Sequence, residues 1–395
     1  NRTFLEKLLD GAEVEWKPLG KVTDIKTGQP VSKNIIAQNP GIYPVINSGR
    51  EPLGFINEWN TENDPIGITT RGAGVGSITW QEGKYFRGNL NYSVTIKSEY
   101  ELNVRFLYHV LLYFQKEIHN LCSFTGIPAL NASELKKLEI PIPPLPVQTE
   151  IVKILDALTA LTSELTSELT SELTLRRKQY EHYREKLLSE EELGKVGFEW
   201  KTLGDVAKIQ RGASPRPISQ YITDEPNGIP WIKIGDTSLD SKYIENTAQK
   251  ITVEGAEKSR ILKCGDFVMS NSMSYGRPYI LKISGAIHDG WASISDFENI
   301  LNSDFLYYYL SSDSVQSYWN GKINSSSVSN LNSDIIKSLP IPIPALHIQI
   351  EIAKTLDKFE ILTNSITEGL PLAIEQSQKR YEYYRELLLN FPVRE

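Results

Sequence analysis

Apolar positions divide the chain into two kinds of segment. Short apolar runs broken by Gly and Pro predict strands at Val22–Ile25, Tyr43–Ile46, Ile66–Thr69, Ser77–Trp80 and Tyr92–Ile96. A second series follows at Val206–Ile209, Trp231–Ile234, Phe267–Ser270, Tyr279–Ile283 and Ala292–Ser295. Each series leads into a predicted helix, near Val104–Asn120 and Asp304–Trp319, where Phe106-Leu107-Tyr108 and Phe305-Leu306-Tyr307 read as core. Residues 150–188 are different. These 39 residues contain no Gly or Pro, and Ile151, Leu155, Leu158, Leu161, Leu165, Leu169 and Leu173 recur every three or four positions. That is the period of a helix with one apolar stripe, roughly 58 Å long at about 1.5 Å per residue.

The stripe occurs twice. An offset of 201 gives Ile352, Leu356, Phe359, Leu362, Ile366, Leu370 and Ile374, all apolar. Other landmarks repeat as well. Glu15-Trp16-Lys17-Pro18-Leu19-Gly20 returns as Glu199-Trp200-Lys201-Thr202-Leu203-Gly204, Pro141-Ile142-Pro143 as Pro342-Ile343-Pro344, and Tyr180-Glu181-His182-Tyr183-Arg184-Glu185 as Tyr381-Glu382-Tyr383-Tyr384-Arg385-Glu386. Gln148 and Asp156 return as Gln349 and Asp357, and Glu6–Leu9 echoes Glu185–Leu188. The offset grows from 184 to 201 inside the second copy, mostly between Leu239 and Asp266. The chain therefore divides into an N-terminal segment (1–14), a mixed α/β domain (15–146), a helix (147–192), a second α/β domain (193–347) and a C-terminal helix (348–395). A long helix with one apolar stripe needs a partner. Two copies related by a pseudo-two-fold axis would pair their helices as an antiparallel coiled coil through the fourteen stripe positions.

Within the first helix Thr-Ser-Glu-Leu occurs three times, over 162–165, 166–169 and 170–173. A step of four turns a helix by about 400°, so the leucines drift by roughly 40° per unit, and each unit adds about 6 Å. The second helix carries Gly369 and Pro371, which predict a kink near its middle.

Charge and chemistry narrow the function by exclusion. Lys and Arg number 42 against 49 Asp and Glu, a net charge of −7. Residues 21–140 hold 12 basic and 11 acidic side chains, and residues 204–341 hold 13 and 15, so neither domain grips nucleic acid by phosphate attraction alone. Cys122 and Cys264 are too few for a disulfide framework and read as buried small apolar residues in a reducing compartment. With no membrane-length apolar run and no signal peptide visible, a soluble cytoplasmic protein is expected. The chain contains no Gly-x4-Gly-Lys-Ser/Thr loop, no Gly-x-Gly-x-x-Gly turn and no Asn-Pro-Pro-aromatic stretch. His109, His119, His182, His288 and His347 stand apart from one another and from the cysteines, so no metal site, cofactor or catalytic residue is expected in the chain itself.

The copies differ where a reading surface would differ. Gly49, Gly76 and Ser93 match Gly235, Gly276 and Ser293. Beside them Asn47 stands opposite Lys233, Arg50 opposite Asp236, Arg71 opposite Asn271, Ser77 opposite Arg277 and Asn89 opposite Asp289. Arg, Lys, Asn and Asp are the side chains that hydrogen-bond base edges, so these ten are candidate DNA-binding residues. Ordinary divergence of solvated loops is the competing explanation.

The Glu-Trp-Lys-x-Leu-Gly opening, the Pro-Ile-Pro…Gln-x-Glu-Ile close, the repeated Thr-Ser-Glu-Leu and the Gln378–Glu386 run resemble type I restriction–modification specificity subunits. Residues 4–11 and 362–371 resemble the IC subgroup. The resemblance implies two target-recognition domains on an antiparallel coiled coil. Each domain would read one half of an asymmetric bipartite DNA target, with the coiled coil setting the gap. It implies a non-catalytic chain that docks two modification subunits for adenine N6 methylation. Through these it would engage restriction subunits. S-adenosylmethionine, ATP and Mg would belong to those partners. Tyr180, Tyr183, Tyr381 and Tyr384 would serve either docking or coiled-coil packing. A coiled-coil scaffold with no nucleic-acid role, or a self-contained nuclease or methyltransferase, are the alternatives.

Overall fold

The sequence landmarks that bracket each domain pair with one another. Glu15–Pro18 and Glu139–Ile142 form an antiparallel ladder with Trp16 opposite Pro141, and Phe198–Thr202 and Pro340–Pro344 repeat it with Trp200 opposite Pro342. A two-stranded ladder has free edges on both sides, so its prolines cost few donors. Immediately afterwards the short helices Leu19–Val22 and Leu203–Val206 dock identically: the Leu19 amide donates to Leu138 O and the Leu203 amide to Leu339 O, each at 2.8 Å. The computed structural model describes residues 3–238, 241–271, 276–325, 330–364 and 369–392.

The chain packs into two units. The first comprises Asn1–Ser167 and Glu375–Glu395, the second Glu168–Ile374. In the first, one sheet runs in the order Thr23–Thr27, Asn91–Ile96, Ile66–Thr69, Ile78–Trp80, and a second in the order Phe55–Ile56, Pro40–Ile46, Lys84–Arg87, Thr61–Glu62. In the second unit each sheet gains a strand. The added edge strands are Tyr243–Ile244, from the extra length expected between residues 239 and 266, and Ile222–Thr223, which precedes it. Gln249–Ile251 and Arg260–Leu262 take the places of Phe55–Ile56 and Thr61–Glu62. One parallel pair is shared by the two folds, Pro40–Ile46 with Lys84–Arg87 and Ile229–Ile232 with Gly285–Ile287. The strand expected at Val22 starts one residue later and that at Val206 two later, because each valine ends a short helix that buries it.

Each predicted helix after the sheets is two helices, Val104–Tyr113 with Gln115–Asn120, and Ser303–Leu310 with Asp313–Ser325. Phe106, Leu107, Phe305 and Leu306 are fully buried, Tyr307 is buried and Tyr108 half-buried, as core positions should be. Cys122 is buried, but Cys264 is exposed on the turn before Phe267–Ser270, so it does not serve as a core residue.

One buried glutamine begins each long helix. The Gln148 carboxamide oxygen accepts the Asn103 amide at 2.8 Å, and its NH2 donates to Glu101 O at 3.1 Å and Pro143 O at 2.8 Å. Gln349 does the same with the Asn302 amide (2.8 Å), Ile300 O (3.0 Å) and Pro344 O (2.9 Å). Both side chains are fully buried, and each ties the domain's last strand and its helix N-cap to the long helix. Two turns on, a repeated aspartate meets different partners. Asp156 accepts Arg105 Nε at 2.9 Å and lies 2.8 Å from His109 Nε2. Asp357 lies 2.9 Å from Lys242 Nζ and 2.5 Å from the Tyr308 hydroxyl, with Asp304 now in the place of Arg105 and held by Lys242 at 3.1 Å.

The first long helix is continuous over Leu145–Leu187. In the first unit Thr159 Oγ1 lies 3.2 Å from the Tyr381 hydroxyl, and in the second Tyr183 stacks on Phe359 with centroids 5.4 Å apart. The partner's number falls as the helix's number rises, the order an antiparallel coiled coil requires. Ile151, Leu155, Ile352 and Leu356 are buried, and Leu158, Leu169, Leu173, Phe359, Leu362, Leu370 and Ile374 half-buried. Leu161 and Leu165 leave the seam, 63% and 41% exposed. Two successive three-residue steps, Leu155 to Leu158 to Leu161, turn the stripe back by roughly 120°, and the four-residue steps that follow return it through Leu165 to Leu169 and Leu173 at roughly 40° each. Ile366 lies outside the described residues. The expected kink is a helix end and restart: Leu346–Asn364 and Leu370–Leu389 are separate helices. Gly369 adopts φ +85°, where a Cβ would lie 2.7 Å from the carbonyl oxygens of Ile361 and Leu362. Tyr180 packs in the second unit's core, while Tyr384 is 42% exposed.

The N-terminal segment is a short helix, Phe4–Leu9, with a Thr3–Glu6 capping box, and it buries Leu5 and Leu9 in one core with Leu388, Leu389 and Phe391. By its cap and its place before the Trp strand it answers Glu190–Val196, capped by Ser189, rather than the Glu185–Leu188 stretch it echoes in sequence. Among the described residues no helix is long and apolar enough to cross a membrane.

Replacing Gln148 with Leu should strand an amide and two carbonyls, costing about 2–4 kcal/mol and lowering the melting temperature by roughly 5–10 °C. Gln349→Leu should do the same, and calorimetry of both variants checks it. Unchanged melting would show that these hydrogen bonds do not hold the helix starts. A second expectation concerns acid. Burial depresses the His109 imidazole below its ordinary value of about 6.5, outweighing its bond to Asp156. Below that pH the unfolded chain binds a proton that the folded chain refuses, so stability present at neutral pH is lost on acidification. Urea denaturation between about pH 8 and pH 5 should show a decline that flattens in His109→Gln. An equally steep decline in that variant would place its origin elsewhere.

Candidate nucleic-acid interface

Three loops of the first domain converge through the backbone. The Asn47 carboxamide oxygen accepts the Leu90 amide at 2.9 Å, and Leu90 O accepts the Thr70 amide at 2.9 Å. The loops beginning at Asn47, Thr70 and Gly88 therefore meet at one end of the sheets. Arg50, Arg71 and Asn89 are exposed on them, whereas Ser77 is half-buried and Asn47 buried, its carboxamide oxygen committed to the Leu90 turn.

The second domain repeats the convergence. The Asn271 amide donates to Gly290 O at 3.1 Å, as the Thr70 amide does to Leu90 O, and the His288 amide donates to Ile232 O at 3.1 Å. Asn271 Nδ2 also reaches Asp289 O at 3.2 Å. Lys233 Nζ donates to Gln249 Oε1 at 2.7 Å, and Asp236 accepts the Lys233 and Ala248 amides at 2.7 and 2.9 Å. Asp236 thus shapes its loop rather than presenting a free carboxylate. Arg277 lies over the Tyr279 ring, 5.3 Å from its centroid. The structure thus joins Lys233, Asp236, Asn271 and Asp289 on linked loops.

A fourth loop joins them that the differences between the copies did not mark. Gly28 and Gly212, 184 positions apart, each approach the carbonyls at residues 87–88 or 287–288 so closely that a Cβ would collide. In the second domain this loop brings Arg211 Nε to Asp289 O at 3.1 Å, the Ser214 hydroxyl to Asp289 Oδ1 at 2.9 Å, and Arg216 to within 3.6 Å of the same carboxylate. Burial alone would push the Asp289 carboxyl up, but Ser214, His288 and Arg211 hold it below the usual range. The available signal was the shared glycine, followed by Arg216 in the second copy. Beneath lies a cavity of about 300 Å³ lined by Arg211, Asn271, Asn330, Asn332, Ser333 and Asp334. The arrangement offers hydrogen-bond donors and acceptors on fixed loops. Among the described residues no group of three His, Cys, Asp or Glu side chains could hold a metal ion.

The sequence matches the family described as the type I restriction modification DNA specificity domain twice, over residues 12–175 and 195–376. The chain belongs to the type I restriction–modification specificity subunits. It is 42% identical to a putative type I restriction enzyme specificity subunit of Haemophilus influenzae, with 99% of both chains covered. It is 33% identical to the EcoR124I/EcoR124II specificity subunit of Escherichia coli, covering 99% of this chain and 97% of that one. Two solved structures share the fold at 16% identity. One is the Thermoanaerobacter tengcongensis specificity subunit (TM-score 0.55, 95% of each chain). The other comes from a study of type I complex assembly and conformational transition (TM-score 0.64, 96% of this chain and 98% of that one). Specificity subunits are the non-catalytic, DNA-recognising chains of their complexes, which accords with loops rich in hydrogen-bonding groups.

Asp289 ties the fourth loop of this specificity subunit to the others. Asp289→Ala should release residues 212–217, seen as faster amide hydrogen exchange there, with a local loss of about 1–3 kcal/mol. Unchanged exchange would show that the main-chain bonds at residue 289 suffice.

Proposed function

We propose that this specificity subunit reads two different DNA half-sites, one with the loops at 28–33, 47–50, 70–77 and 88–90 and the other with those at 212–217, 233–236 and 288–290 together with residues 271, 276 and 277. The observation that carries this reading is the same backbone convergence in both copies, decorated with unlike polar side chains. By its backbone bonds Asn271 takes the place of Thr70 rather than of Arg71. At that point the second copy carries a carboxamide where the first has a hydroxyl with the exposed Arg71 beside it. Asp289 likewise replaces the exposed Asn89, and Asn favours adenine, Arg guanine and Asp cytosine. The half-sites therefore differ. A good bidentate contact discriminates by about 1–3 kcal/mol, so a few per half-site give useful specificity.

The helix Leu145–Leu187 acts as the spacer, about 65 Å long, with its three Thr-Ser-Glu-Leu units as the adjustable part. One unit of about 6 Å corresponds to less than about two base pairs of duplex. The near-balanced charge of each domain supports a division of labour. Two modification subunits docked on the helices supply phosphate contacts, bind S-adenosylmethionine and methylate adenine N6. Restriction subunits join through them with ATP and Mg.

Deleting Thr166–Leu169 should shorten the recognised gap while leaving both half-sites unchanged. Mapping methylated adenines in a host carrying the deleted gene tests this. An unchanged gap would refute the ruler, and altered half-sites would refute the separation of reading from spacing.

A further inference from the structure

The first domain carries a hairpin turn that packing does not explain. Ser123 and Ala129 exchange both backbone hydrogen bonds, at 2.8 and 3.0 Å. Ala129 also bridges to Arg71, the Gly72 amide donates to Pro128 O at 3.0 Å, and the Leu130 amide donates to Thr70 O at 2.8 Å. The turn is thus sewn along the loop that bears Arg71. At its tip, Phe124 is 54% and Ile127 66% exposed. The Phe124 ring leans on the His119 imidazole, centroids 5.0 Å apart, which fixes where it stands. Single exposed apolar residues are ordinary. Two on one pinned turn, beside an exposed arginine of the reading loops, form a surface aimed at whatever those loops meet.

We propose that Phe124 and Ile127 form an apolar wedge that enters the DNA of the first half-site at a base-pair step, unstacking it and bending the duplex. The inference rests on the reading that these loops face DNA. Phe and Ile are side chains that minor-groove proteins insert between base steps, and continuity with Arg71 makes DNA rather than a protein partner the occupant. The wedge belongs to one half-site only. The Leu130 and Leu331 amides donate alike to Thr70 O and Asn271 O, and aligning them by sequence places Ser325 opposite Phe124 and Val328, which lies outside the described residues, opposite Ile127. The unstacked step is then a flexible pyrimidine–purine step, because such steps deform at least cost. The protein would select that step through its deformability as well as through base-edge contacts.

The test uses the specificity subunit assembled with its modification subunits, and duplexes carrying 2-aminopurine at single positions of the target other than the methylated adenine. With the wild-type complex, fluorescence should rise severalfold at one step of the first half-site and at none of the second. Phe124→Ser, which installs the second copy's residue, should abolish the rise and weaken binding on the order of tenfold. It should leave protection of the second half-site and the melting temperature unchanged, and Phe124→Leu should restore part of the signal. A wild-type complex that protects both half-sites without any fluorescence rise would overturn the wedge alone. So would a rise that survives Phe124→Ser combined with Ile127→Ala, or variants that lose the modification subunits instead of the DNA signal. A wild-type complex that protects no duplex would overturn the DNA reading and the wedge together.

Discussion

A fully buried carboxamide has to satisfy all its hydrogen-bonding groups or destabilise the fold that encloses it. Gln148 and Gln349 do this by binding the same three backbone groups in each copy, from the last strand and from the start of the domain's helix. This constraint fixes where each α/β domain sits on its own long helix. The terminal ladder of Trp16 with Pro141, or Trp200 with Pro342, closes the domain just before that point. On the proposed function, with loops at one end of a domain reading DNA and the helix at the other setting the spacing, such a joint has to be stiff.

Around that joint the copies have drifted by substitution of partners rather than loss of contacts. Asp156 holds a cation on the domain helix, Arg105; at the matching place the second copy has Asp304, and Lys242 comes in from the inserted segment to bridge Asp304, Asp357 and Glu360. Burial alone would lower the Lys242 pKa, but these carboxylates raise it. His109 and Tyr308 occupy equivalent places and both reach the repeated aspartate. The loops behave alike: the backbone links Thr70–Leu90 and Asn271–Gly290 persist while the side chains on them change. Preserved main chain with altered side chains lets one architecture present two different surfaces.

Some of this was legible in the residues. The repeated Trp-Lys-x-Leu-Gly, Pro-Ile-Pro and Gln–Asp landmarks identified the duplicated frame, since frame residues are held by backbone geometry and buried partners that tolerate little change. Most strands were legible from their apolar runs, whereas the counterpart of Asn271 was not, because the backbone bonds put Asn271 in the place of Thr70 rather than of Arg71, a one-residue shift that a constant offset hides. Other features were hidden. Leu161 and Leu165 match the stripe in sequence but rotate off it, because a spacing of three or four was read as one stripe although two three-residue steps in a row, Leu155 to Leu158 to Leu161, swing the helix face by roughly 120° before the four-residue steps bring it back. Asn47 and Asp236 have the chemistry of base readers but spend it on their own loops, a choice set by neighbours distant in sequence.

By itself the sequence determined the duplication, the two long helices, the family and the lack of catalytic motifs, because each is written in local spacing or in similarity along the chain. Only the tertiary structure decided that Gly28 and Gly212 carry a fourth loop into the same convergence, that Lys242 balances three carboxylates, and that Phe124 and Ile127 stand in solvent beside Arg71. Each of these depends on contacts between segments far apart in the chain, and no local pattern encodes which side chains such contacts bury and which they leave exposed.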